Sequence, residues 1–159
     1  DVFTRELTSV CAAHGVAVVF VPAPKGCPAS GATRWLSPDK ALLQLSLRHK
    51  TNDHLWFTVF HEAGHLVLHG KRMTFIEGTE SISAEHEAEA DRFARDLLIP
   101  PAEARALRDV GRSHARVQAF AERIGVAPGI VVGRLQKEEI VDWSQLNALK
   151  VRYAWSGTR

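Results

Sequence analysis

Cysteine is scarce in this chain. Cys11 and Cys27 stand alone among 159 residues, in no paired-ligand spacing. That excludes a disulfide scaffold and a cysteine-rich zinc module, and it fits a reducing compartment. Long apolar runs are missing too: the longest, such as Val16 to Val21, fall far short of the roughly 20 residues a membrane-spanning helix needs, so no membrane partner is expected. Neither sign of charge dominates. With 20 basic and 18 acidic side chains the formal net charge is +2, too small by itself to argue for nucleic-acid binding. There is no internal repeat and no low-complexity tract. An initiating methionine is also lacking, since the first residue is Asp1; the expectation is a piece excised from a longer chain. The 45% hydrophobic and 24% charged content is that of an ordinary globular protein, and the length suits a single domain with its own core.

The patterning predicts strands first and helices afterwards, an α+β domain. Val2, Phe3, Leu7, Val10 and Cys11 recur at helical spacing, with Gly15 as a stop. Val16 to Val21 is β-branched, apolar and closed by Pro22, and reads as a buried strand. A loop follows over Pro22 to Gly31. Ala32 to Leu36 and Leu42 to Leu47 are the next strands, the second alternating Leu43, Leu45 and Leu47 against Gln44 and Ser46. Asn52 or Asp53 caps a helix from His54 to about His69, and Ser83 opens another that must end before Pro100-Pro101. The form of Gly70 to Glu80 is open. Short helices punctuated by Gly111, Gly125 and Pro128 complete the chain. Within one domain over 1–159, this gives a core over 1–110, helix-turn-helix-like helices over 111–137 and a C-terminal packing segment over 138–159.

The informative residues are His61-Glu62-Ala63-Gly64-His65. Positions four apart on a helix differ by about 40°, so both imidazoles project from one face, one turn apart. Two neutral imidazoles at that spacing can share one Zn²⁺, and Glu62 beside them can take a proton from a water the metal activates. The motif alone is suggestive only, because 8 histidines will sometimes produce it by chance. The rest of the helix strengthens it. Trp56, Val59, Phe60, Ala63, Leu66 and Val67 fall on one broad arc, while Thr58, His61, Glu62, His65 and His69 fall on the other. The expectation is a helix packed into a core by its apolar arc, with a ligand-lined cleft along the histidines.

An open zinc site takes a third protein ligand, and the candidates lie in Glu85-His86-Glu87-Ala88-Glu89-Ala90-Asp91. Ala90, Phe93, Ala94, Leu97 and Leu98 define that helix's buried arc. Glu87 and His86 lie about 50° from its centre and Glu89 roughly 110°. A carboxylate near a buried face is costly unless paired or metal-bound, which favours Glu87, with Glu89 next and His86 third. Asp91 stands one turn from Glu87 and could hydrogen-bond a ligating histidine. His69 is a further rival ligand, better suited to a cap or a substrate contact.

These two stretches, Phe60-His61-Glu62-Ala63-Gly64-His65-Leu66-Val67-Leu68-His69 and Glu87-Ala88-Glu89-Ala90-Asp91-Arg92-Phe93-Ala94 followed by Leu97-Leu98-Ile99-Pro100, resemble the ImmA/IrrE family of metallo-endopeptidases over about residues 1 to 135. The resemblance implies a zincin-like fold, a small twisted sheet over the motif helix with a second helix bringing the third ligand. It implies one Zn²⁺ (Mn²⁺ or Fe²⁺ being able to replace it) held by His61, His65 and Glu87, with Glu62 as general base. Asp91 stands where family members often have Asn, which leaves the ligand set intact. It also implies a cytoplasmic protease whose protein substrate is a helix-turn-helix repressor or antitoxin-type regulator, and an N-terminal DNA-binding domain in the longer chain.

On this reading Glu62 carries the water's proton to the leaving amine, and Leu42 to Leu47 could pair with an extended substrate at an exposed sheet edge. The oxyanion-stabilising residue stays open among His54, His69, His114 and Tyr153. Peptide deformylases share the histidine motif but take a cysteine from a Glu-Gly-Cys motif, a context that Cys11 and Cys27 lack. The alternative from another class is a non-catalytic zinc-binding regulatory or sensing domain, its site closed by a fourth ligand such as His69 or His86. Ser113 to Lys137 resembles a helix-turn-helix whose Arg112, Arg116, Arg123, Arg134 and Lys137 could meet phosphates, but two helices packed to complete the domain is the preferred reading, without direct DNA binding. Trp143, Tyr153 and Trp155 are expected to pack on the body of the domain.

Overall fold

A computed structural model of the chain describes residues 2–69, 74–76 and 83–155, with the side chains of residues 2 and 74–76 left aside. The fold is α+β. It divides into two compact units, one built from Asp1–Arg48 and Thr58–Ala94, the other from His49–Phe57 and Arg95–Arg159.

In the first unit, α1 (Val2–Ala13) leads into β1 (Val16–Phe20), followed by β2 (Gly31–Ser37), β3 (Lys40–Leu45), the later turns of α2 (Asn52–Leu68), β4 (Thr74–Ile76) and the first turns of α3 (Ala84–Leu98). The four strands form one sheet in the order β1-β3-β2-β4. β2 and β3 pair antiparallel as a tight hairpin, β1 pairs with β3 in parallel, and β4 pairs antiparallel with β2. Leu43 and Leu45 are buried and Gln44 is exposed, as alternation along β3 requires.

Two strand readings need correction. β3 lies between β1 and β2 with both edges paired, so it has no edge to offer a substrate. Its apolar alternation reports a buried face, and nothing in such a pattern distinguishes a central strand from an edge. β1, read as buried, instead occupies one edge: Val18 is buried, but Val19 and Val21 are exposed. β4 falls in the segment whose form was left open. Three residues are too few for a periodic signal, and only pairing with β2 defines it.

The second unit holds α4 (Pro101–Ala104), α5 (Leu107–Val110), α6 (His114–Ile124) and α7 (Pro128–Lys137), then a 3-10 turn at Asn147–Leu149. Its apolar core gathers Ile99, Leu107, Val117, Phe120, Val131, Val132 and Leu135, among others. Gly129, Ile130, Val131, Val132, Leu135 and Gln136 of α7 are all buried. Three of the four arginines singled out above find partners inside this unit: Arg123 pairs with Glu103, Arg134 with Glu138, and Arg116 donates to the Asp109 carbonyl.

The C-terminal segment of this unit is held by polar groups. Gln136 Nε2 donates to the Gln145 carbonyl at 2.9 Å and its Oε1 accepts from Lys150 Nζ at 2.7 Å. Lys150 in turn pairs with Asp53 Oδ2 at 2.6 Å, both side chains being at least 93% buried. Asn52, expected as a helix cap, bonds the Val151 backbone through its own N–H and its Oδ1, and α2 starts at Asn52 rather than His54. A partner about a hundred residues away outcompetes the local cap. Trp143, expected to pack, is 59% exposed, its carbonyl rather than its ring serving as the anchor. Lys150→Met leaves the Asp53 carboxylate buried and uncompensated. It is expected to destabilise this unit by about 3–5 kcal/mol, measured by urea unfolding, with Asp53→Asn added to Lys150→Met recovering part of the loss.

Candidate metal centre

α2 is oriented opposite to the usual amphipathic rule. His61, Glu62, His65 and His69 are all buried, Glu62 and His65 to within 1% of full burial, whereas Val67 and Leu68 at its end are exposed. Trp56, Phe60, Ala63 and Leu66 are only half-buried. The histidine arc is therefore interior, while the apolar arc is mixed, Val59 being buried at 4% exposure and its neighbours half-buried or exposed. Polar groups tolerate this only when they are paired. The partners come from α3.

Donor atoms of His61, His65 and Glu87 lie within 4.8 Å of one another, a grouping that no other trio of His, Cys, Asp or Glu among the described residues achieves. His61 Nε2 and His65 Nε2 are 3.1 Å apart. Glu87 Oε2 is 3.3 Å from the first and Oε1 is 3.4 Å from the second. Asp91 Oδ1 is 2.9 Å from His61 Nδ1. His65 Nδ1 is 2.9 Å from His69 Nδ1, and His69 Nε2 is 3.0 Å from Glu89 Oε2. Glu89, a rival for the third position, thus meets His69 rather than the donor trio. His86 lies beside His69, their ring centroids 4.4 Å apart and their planes tilted by 43°.

Hydrogen-bond logic fixes the ring tautomers. An ionised carboxylate only accepts, so His61 Nδ1–H donates to Asp91 and Nε2 of that neutral ring carries a lone pair. His69 Nε2–H donates to Glu89 by the same rule, leaving its Nδ1 as acceptor for His65 Nδ1–H. His65 Nε2 is then a lone pair as well. Two imidazole lone pairs and a carboxylate converge on one point, an arrangement that repels itself and that a divalent cation satisfies. Two nitrogens and an oxygen donor suit a divalent metal ion. Burial, followed by the neighbouring imidazoles of His61, His69 and His86, pulls His65 down from 6.5 to about 3, opposed by Asp91. His65 is accordingly a neutral donor at physiological pH.

Two glycines permit the approach. A Cβ on Gly64 would lie 3.2 Å from the Ala90 Cα and the Phe93 ring, so α2 and α3 come together backbone to backbone there. A Cβ on Gly31, at the start of β2, would lie 2.5 Å from Glu62 Oε1 and 2.7 Å from Thr58 Cγ2. The sheet backbone rests directly on the glutamate of the motif. Sequence reading took Gly31 as part of a loop; the signal that might have found it, a lone glycine before a strand, is too common to be informative.

The sequence matches the Peptidase M78 family, described as the IrrE N-terminal-like domain, over residues 11–136. The chain belongs to this family. No curated protein matches it. The family is one of metallopeptidases, which implies a metal ion, and the fold is the zincin-like α+β fold that the family resemblance implied. No helix among the described residues is long and apolar enough to cross a membrane.

Two outcomes are expected of the Peptidase M78 domain. Gly31→Ala must displace Glu62 or β2, with a loss of about 1–3 kcal/mol by thermal unfolding. Because His65 takes up a proton when unfolded near pH 6.5 but only near pH 3 when folded, the metal-free protein binds fewer protons than its unfolded chain across that interval. Its stability should therefore fall as pH drops below about 6.5, read as the unfolding midpoint in the presence of chelator. A midpoint flat from pH 7 to 4 would contradict a buried neutral His65.

Proposed function

We propose that this domain is a zinc-dependent metallo-endopeptidase in which His61, His65 and Glu87 hold the ion and Glu62 is the general base. The observation that carries the reading is the convergence of three metal donors from α2 and α3 within 4.8 Å, beside a glutamate that is almost wholly buried. When bound, zinc supplies Lewis acidity toward a water molecule and the scissile carbonyl. Mn²⁺ or Fe²⁺ would suit the same donors less specifically.

The protein's own groups supply the rest. Glu62 takes the proton from the attacking water and delivers it to the leaving nitrogen, so the amine departs neutral. Its burial under Gly31 keeps the carboxylate in one place and raises the strength of each interaction it makes there. Asp91 holds the His61 ring with its Nε2 lone pair inward, and His69 does the same for His65. The substrate we propose is a folded regulatory protein of the helix-turn-helix repressor or antitoxin type, in line with the family resemblance, cut in the cytoplasm. A purely structural zinc site gives Glu62 no task, which is why the non-catalytic alternative is not adopted.

Glu62→Gln is expected to bind zinc with wild-type stoichiometry, by elemental analysis, while cleavage falls about 10²–10⁴-fold. Cleavage is followed by mass spectrometry on a panel of helix-turn-helix repressors and antitoxin-type regulators. Undiminished proteolysis by this variant would remove Glu62 from its role, and a wild-type protein that takes up no metal would end the reading altogether.

A further inference from the structure

We propose that His69 and Glu89 are positioning residues for the metal: a carboxylate–imidazole–imidazole chain running Glu89–His69–His65 fixes the proton of His65 on Nδ1 and so presents its Nε2 lone pair to the ion. The proposal rests on the zinc site proposed above. Three observations converge on it.

The first is direction. His69 approaches His65 at Nδ1, at 2.9 Å, whereas the trio that would hold the ion uses Nε2. The two nitrogens of an imidazole point to opposite sides of the ring, so His69 stands behind His65 and is no fourth ligand. The second is completeness. Each link has a defined donor and acceptor: Glu89 Oε2 accepts from His69 Nε2–H at 3.0 Å, and His69 Nδ1 accepts from His65 Nδ1–H. Only this assignment leaves two neutral imidazoles hydrogen-bonded in series. The third is burial. His69 is 8% exposed although it lies just past the end of α2, next to exposed Leu68. A histidine used as a surface cap has no reason to be enclosed, and the chain accounts for it.

The same arrangement serves His61 by a shorter route, Asp91 Oδ1 accepting directly from Nδ1–H. The two ligating rings are therefore oriented differently, one by a carboxylate in contact and one by a carboxylate relayed through a second ring. Groups that orient a metal-bound histidine in this way typically contribute about 10- to 100-fold to metal affinity.

The test is zinc affinity, by competition with a chromogenic chelator, measured with the metal-free unfolding midpoint for wild type, His69→Leu, His69→Asn and Glu89→Ala in the full chain. Asn places an acceptor oxygen close to where Nδ1 stood. The expected result is a 10- to 100-fold weaker affinity for His69→Leu, near-complete rescue by His69→Asn, and a several-fold loss for Glu89→Ala, which stays folded with a modestly lowered metal-free midpoint. Glu89 is 43% exposed at its side chain, so that variant folds even if the leucine does not. Zinc held equally tightly by wild type and all three variants would overturn this proposal alone. A change in the visible spectrum of the cobalt-substituted protein from wild type to His69→Asn, signalling a lost ligand, would also overturn it. A wild type that binds no zinc would overturn the proposed function and this proposal with it.

Discussion

A helix that buries its polar face incurs a large free-energy cost unless each buried group meets a partner, and the first unit is organised around meeting it. α2 turns His61, Glu62, His65 and His69 inward. Left alone, four such side chains would cost several kcal/mol. α3 answers with Glu87, Glu89 and Asp91, each reaching a ring nitrogen at 2.9 to 3.4 Å. What remains after this pairing is a deliberate excess of lone pairs at one point. The rings are thus held by carboxylates of α3, directly or through one another, and the lone pairs left over gather at one point, where the chemistry lies.

The sheet has a quieter part in the same constraint. β2 begins at Gly31, whose missing side chain lets backbone lie against Glu62. Gly64 does the equivalent between α2 and α3. Both are places where bulk would move a functional carboxylate rather than merely crowd the core. Displacements of about 1 Å in a reacting group can cost two orders of magnitude in rate, so these absences of side chain belong to the site as much as the histidines do. The second unit, by contrast, places its polar network of Asp53, Lys150 and Gln136 at the C-terminal segment, where it anchors chain rather than gathering metal donors.

Much of this could be read from residue order, and the misreadings share a cause. The spacing of His61 and His65 sets them on one helix face whatever surrounds the helix, and Glu87 with Asp91 repeats the one-turn spacing on α3, so these survive translation into three dimensions. The orientation of α2 survived in part: the reading set a ligand-lined cleft along the histidines and a core under the apolar arc, and the histidines are buried while of that arc Val59 is buried and Val67 exposed. Here the arc rich in imidazole is interior, and the lack of lysine and arginine on it was the visible hint. β3 was read as offering an edge and β1 as buried because alternation and apolarity describe faces, not neighbours. Asn52 and Asp53 read as caps since local rules cannot see Val151 and Lys150. In each case a contact between residues distant in sequence overrode a local preference.

The contest between Glu87 and Glu89 for the third position shows how far local reasoning goes and where it stops. Two residues on a helix differ by about 200°, so only one of the pair can face the converging nitrogens, and the angular estimate identified it. That estimate leaves the other as the next-best candidate for the same position, with no task of its own. Yet the His61-to-His65-to-His69 stripe is itself extended along α2, and an extended stripe of rings has two sides. Glu87 meets it where Nε2 atoms gather, and Glu89 meets it one turn on, behind His65, through His69. A carboxylate repeat with this phase can serve both sides of the stripe at once. The third histidine and the second glutamate, each weak as a candidate ligand, become intelligible together, because a ring that binds a cation through one nitrogen must dispose of a proton at the other.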